Sequence, residues 1–261
     1  MSRRPALAAL LAVALLAAAG ARAGAESLVT SLSTHYVRIT ANFTGADLVL
    51  FGAIERDART VARRGGYDVV VTVMGPRQTF VTRRKERVFG IWMNVESRTF
   101  IDAPSYLAVL ANRELTDIAS IATLRRLQSG LDQILLPQVI AGDIGDVALD
   151  DPLRSAYLRI KRDQGLYREA PNAVTFLTPT LFRSAIPLPD NVPTGVYEVD
   201  VKLFADGALL ARQTSALEVV KSGFEQFVFT AAHDYGLLYG LATAMMALLT
   251  GWLASIVFRK D

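Results

Sequence analysis

Cysteine is absent from the 261 residues. That removes disulfides, thiolate metal sites and cysteine nucleophiles together. It does not argue against export, because a domain with a large core folds without disulfides. Histidine is nearly as scarce. His35 and His233 are the two in the chain, neither has a second histidine at metal-ligand spacing, and no HExxH run occurs. A structural or solvent-exposed role is the plain reading of each. Gly65-Gly66 and Gly142-x-x-Gly145 lack the lysine and strand-to-helix setting of a phosphate loop. A Gly-x-Ser-x-Gly elbow is missing too. No catalytic, cofactor-binding or metal-ligating set can be picked out, and the chain reads as a non-enzyme without a cofactor.

Charge is short as well. The formal balance is +3, with 28 basic against 25 acidic residues. Arg3, Arg4 and Arg22 lie in a segment expected to be removed, which leaves 25 of each sign. A neutral chain has no general electrostatic reason to bind nucleic acid. Hydrophobic residues make up 51%, enough for a packed core and against disorder.

What is present in abundance stands at the two ends. Residues 1–25 form a charged start, an apolar run over 6–19 and small residues near Ala23 and Ala25, the layout of a cleavable signal peptide. The apolar run is short for a membrane span. At the other end, residues 236–258 contain no charged side chain. As a helix this stretch is roughly 35 Å long, enough to cross a bilayer core of about 30 Å. Tyr235 and Tyr239 mark one interface; Trp252 and Phe258 mark the other. Arg259 and Lys260 follow, and the positive-inside rule puts residues 259–261 in the cytoplasm. Both ends then predict a single-pass inner-membrane protein with its body in the periplasm.

Within the span, Gly236, Gly240, Ala244, Ala247, Gly251 and Ser255 form a stripe of small residues. Such a stripe lets another helix approach closely, either a second copy or a polytopic membrane protein. Residues 222–235 lead into the span. Phe224, Phe227, Val228 and Ala231 are helically spaced there, as an amphipathic surface helix or a plain stalk.

Between the ends the pattern is mainly β. Alternation over 37–43, an apolar run over 48–54, and further stretches at 67–74, 80–82, 88–95, 99–101 and 106–110 predict short strands of an Ig-like β-sandwich in residues 26–112. Trp92 falls in an apolar run, which predicts a core position. Residues 113–168 change period. Leu115, Ile118, Ile121, Leu124, Leu127, Leu131 and Ile134 predict one amphipathic helix over 114–136, stopped by Pro137. Asp151 is placed to cap a second helix beginning at Pro152. Strands return over 169–221. Tyr197, Val199, Val201 and Leu203 are expected inward, with Glu198, Asp200 and Lys202 outward. Asp206-Gly207 then signals a hairpin. Spacing does not decide between two sandwiches and one sandwich with a helical insertion.

Two charged clusters remain. Asp143, Asp146, Asp150 and Asp151 do not follow EF-hand spacing, and capping in a solvated loop explains them, with weak calcium binding as the alternative. Arg83, Arg84, Lys85 and Arg87 are the densest basic run, read as a solvated hairpin or as a contact for anionic headgroups or an anionic solute.

Several separated segments together carry a resemblance. They are residues 42–46 (NFTGA) with 51–53 (FGA), residues 84–94 (RKERVFGIWMN), residues 181–189 (LFRSAIPLP) with 192–197 (VPTGVY), and residues 251–259 (GWLASIVFR). In this order they resemble a family of transmembrane proteins described from Alphaproteobacteria, over about residue 27 to the C-terminus. The family is one of unknown function. The resemblance implies an envelope protein and an association with sulfite-exporter-like permeases. The expected role is an accessory or interaction subunit of a membrane complex, with an anchored solute-binding or sensing domain as the alternative.

Overall fold

The computed structural model describes residues 26–56, 66–140, 143–146, 148–223, 228 and 231–257. The leader, the tail at 259–261 and the proposed amphipathic positions Phe224 and Phe227 lie outside the described residues.

The chain is mostly β. A central six-stranded sheet has the order β10-β7-β4-β13-β14-β2, from Tyr167–Ala170, Leu107–Ala111, Asp68–Met74, Gly195–Ala205, Ala208–Lys221 and Tyr36–Ile39. A four-stranded antiparallel sheet has the order β1-β3-β12-β11, from Ser27–Leu32, Ala46–Glu55, Leu181–Leu188 and Val174–Thr178. Strands from the two halves of the chain therefore pair directly. β3 is bonded to β12, and β4 to β13. Residues from both sheets belong to one hydrophobic core.

Val69 to Val73 are buried on both faces of β4. Such continuous β-branched runs suit a strand covered on both sides. One face meets the four-stranded sheet. Tyr106 packs on Tyr197 with ring centroids 5.7 Å apart, and its hydroxyl donates to the Pro187 carbonyl of β12.

The opposite face is not open to water. Cross-strand partners share a face, and Asp200, Thr72, Val109 and Glu169 form one such row. Glu169 accepts from the Leu131 N–H at 2.8 Å, so the segment after Ala111 lies over this face. Asp200 and Lys202, expected outward, are each only 1% exposed.

That covering segment is not the single helix expected over 114–136. It holds two short helices, α1 (Leu115–Ile118) and α2 (Ile121–Arg126). Ala119 is extended between them, and Ser120 starts α2 by accepting from the Thr123 N–H. Gln128 and Gly130 then take positive φ, which ends the helical path. Leu115, Ile118, Leu124, Leu131 and Ile134 are still buried, whereas Ile121 is exposed. The three-to-four spacing recorded contact with the core rather than unbroken helix. α3 (Pro152–Asp163) follows, as expected from its signals. The Asp151 carboxylate accepts from the N–H groups of Leu153 and Arg154, and Gly165 closes the far end at φ +71°.

A third sheet has the order β5-β6-β8-β9, from Arg77–Val88, Ile91–Pro104, Pro137–Ile140 and Asp143–Asp146. The last element is α4 (Gly236–Val257).

Candidate interaction surfaces

α4 has 22 residues and no charged side chain, and none of the apolar span over residues 236–256 is buried. It is the one candidate membrane span among the described residues. A Cβ added at Gly236, Gly240 or Gly251 would meet nothing within 4 Å. At 100° per residue the six small residues of the stripe occupy an arc of about 100°. The Thr243 hydroxyl donates to the Gly240 carbonyl and that of Thr250 to the Met246 carbonyl. Polar side chains satisfied on their own helix are what an apolar solvent demands.

The second surface is the β5–β6 hairpin. Phe89 and Gly90 form its two-residue turn, with φ of 50° and 85°. Positive φ at both positions is the twist-compatible geometry for such loops. This corrects the expectation of one strand over 88–95. At its base the hairpin is held firmly. Phe100 and Phe80 pack on Tyr157 at 4.9 and 5.8 Å, the Lys161 ammonium sits 3.7 Å from the centre of the Phe80 ring, and Arg98 pairs with Asp151 at 2.9 Å. β6 is paired with β8 at Phe100 and Gln138.

Beyond Thr82 and Arg98 the two strands continue with no third strand among the described residues. At about 3.3 Å per residue this ribbon reaches roughly 20 Å to its turn. Residues 83–87 and 89–95 are all exposed. Phe89 is fully exposed and Trp92 is 68% exposed, so the expectation of a core tryptophan is corrected. Ile91, Met93 and Val95 are exposed as well. The basic run lies just behind this apolar tip. Arg84 reaches Glu86 at 3.2 Å and Glu96 at 3.6 Å, and Arg87 donates to the Gly90 carbonyl.

A third group is buried in the central sheet. The Asp200 carboxylate accepts from Lys202 Nζ at 2.6 Å and from Arg212 Nε at 2.7 Å. Lys202 also donates to the Thr72 hydroxyl at 3.1 Å. Burial pulls the Lys202 ammonium below the usual lysine range, and the Asp200 charge opposes that fall. With Asp200 and Lys202 closed off from solvent, this is a structural ion cluster.

The remaining predicted positions fall apart in space or take structural partners. The His35 ring bonds the Ala216 carbonyl at 3.1 Å, and His233 lies in the helical turn before α4. Asp146 bonds the Leu136 N–H and pairs with Arg125, while Asp151 is occupied as a cap. Among the described residues no group of three or more histidines or carboxylates could hold a metal ion. The signal that could have exposed the hairpin is Val88-Phe89-Gly90-Ile91. A glycine inside an apolar alternation marks a turn as readily as a strand interior.

Comparison with known proteins adds one match. The family model described as Putative transmembrane protein (Alph_Pro_TM) covers residues 27–260. No curated protein matches the chain.

Proposed function

From the premise that this chain belongs to that transmembrane family, we propose that it is an inner-membrane-anchored interaction module, a non-enzymatic accessory subunit of a membrane complex. The observation that carries the proposal is α4, which is unburied among the described residues and whose stripe glycines, Gly236, Gly240 and Gly251, have open space where a Cβ would stand. Close approach of a second helix is what such a stripe permits. A transport protein of the sulfite-exporter-like kind is the partner class that the resemblance implies, and self-association is the other. The signal-like leader and the pair Arg259-Lys260 support a periplasmic body and a cytoplasmic C-terminus.

A solute-binding reading would use the basic run at residues 83–87 together with a cleft between the β regions 26–112 and 169–221. Those regions pair within the same sheets, which removes the cleft and leaves the basic run as the support for that reading. The test is crosslinking in intact cells, followed by purification through a tag after Asp261 and mass spectrometry. A recurrent polytopic membrane protein, or a crosslinked dimer, supports the proposal. Recovery of monomer alone overturns it. Replacing Gly240 and Gly251 with Leu should reduce whichever association is found by about tenfold or more, since each leucine holds the partner backbone away.

A further inference from the structure

We infer that the tip of the β5–β6 hairpin docks on an anionic bilayer surface, giving the body a second contact with the membrane that holds α4. The inference rests on α4 as a membrane anchor but not on any protein partner. Four features point to it. Apolar side chains occur on both faces of the ribbon and at its end: Ile91 and Met93 alternate with Trp92, and Phe89 caps the turn. A protein groove takes one apolar face; a fluid apolar boundary accepts all sides. Arg83, Lys85 and Arg87 are exposed within a few residues of the tip, where they complement anionic headgroups. Tryptophan is enriched at headgroup depth, and Lys and Arg are interfacial anchors there as well. The tether supplies an effective concentration that makes a weak contact sufficient. The free edges of a two-stranded ribbon stop it from entering the hydrocarbon core, so the contact is interfacial.

The chain contains two tryptophans, Trp92 and Trp252. Trp252→Phe in the full chain leaves Trp92 as the single reporter. This variant would be placed in nanodiscs of phosphatidylcholine, with or without phosphatidylglycerol, and with brominated acyl chains for quenching. Blue-shifted emission and bromine quenching in the phosphatidylglycerol discs, both lost in Lys85→Glu/Arg87→Glu and weakened at about 1 M salt, are expected. A Phe89→Ser/Ile91→Ser variant should lose the quenching while its far-ultraviolet dichroism stays unchanged, because the ribbon lies outside the core. Emission that is the same in both discs and in detergent overturns the inference. So does an equal response in both lipids, or burial of Trp92 only when a crosslinked protein partner is present. Failure of the chain to enter discs would instead refute α4 as an anchor, and the crosslinking test reads partner binding separately.

Discussion

Replacing Asp200 should be severely destabilising, because it breaks a buried ion pair from one side. Its carboxylate bonds Lys202 and Arg212 at 2.6 and 2.7 Å, and both Asp200 and Lys202 are almost fully buried. Asp200→Ala leaves the Lys202 ammonium with the Thr72 hydroxyl as its remaining bond from this cluster. Breaking a buried pair from one side costs about 3–5 kcal/mol. For a chain of this size that corresponds to a fall in Tm of about 6 to 20 °C. Arg212 contributes little to the loss, because half of its side chain is already in water. The penalty should depend on pH in a definite direction. Burial already lowers the Lys202 pKa, and removing Asp200 lowers it further. Between that folded value and the ordinary lysine value the unfolded chain binds more protons. The variant therefore gains stability as pH rises through this window. Asp200→Leu with Lys202→Met removes both charges and should lie within about 1 kcal/mol of the parent or above it. The assay is thermal unfolding of the full chain in detergent, followed by far-ultraviolet dichroism. Tryptophan emission would not serve, since Trp92 is at the hairpin tip and Trp252 in α4. An Asp200→Ala variant that melts within about 2 °C of the parent would refute the reasoning.

Other perturbations follow from the same contacts. A Cβ on Gly52 would stand 2.1 Å from the Phe182 ring, its cross-strand partner. Gly52→Ala should therefore cost about 1–3 kcal/mol, and Phe182→Leu in the same chain should recover part of that loss in a denaturation experiment. Asp151→Ala removes the cap of α3 and the pair with Arg98, at a cost of about 0.5–2 kcal/mol for the cap alone. Burial pushes the Asp151 carboxyl up, but Arg98 and the two capping N–H groups outweigh it, so its pKa lies below the ordinary value. Its contribution is present above the unfolded pKa and disappears as pH falls through the folded one. Asp151→Asn keeps a capping oxygen and should show a shallower loss of Tm in acid.

Much of the body was legible in the sequence. An apolar run located β3 and alternation located β4 and β13; Asp206-Gly207 located the hairpin after β13; Asp151-Pro152 located the start of α3. Uninterrupted hydrophobicity located α4. Three readings failed for one shared reason: local spacing does not say what covers a face. Asp200 and Lys202 alternate with apolar neighbours as solvent-facing residues do, but the segment carrying Leu131 lies over them. Leu115 to Ile134 keep helical spacing because they meet the same sheet, while Ala119, Ser120 and Gly130 break the backbone path. Trp92 sits among apolar residues as a core residue would, yet its strand has left the core. Pairing across the chain, β3 with β12 and β4 with β13, is a long-range fact that no local window contains.

The central claim is an anchored chain whose body stands on one side of the membrane. The absence of native cysteine makes its test direct. Thr194→Cys, at an exposed position in the body, and Asp261→Cys would each be the only thiol in their chains. Labelling with an impermeant maleimide in spheroplasts should mark position 194 at once and position 261 only after permeabilisation. Labelling of both positions in intact spheroplasts, or of position 261 alone, would contradict the account.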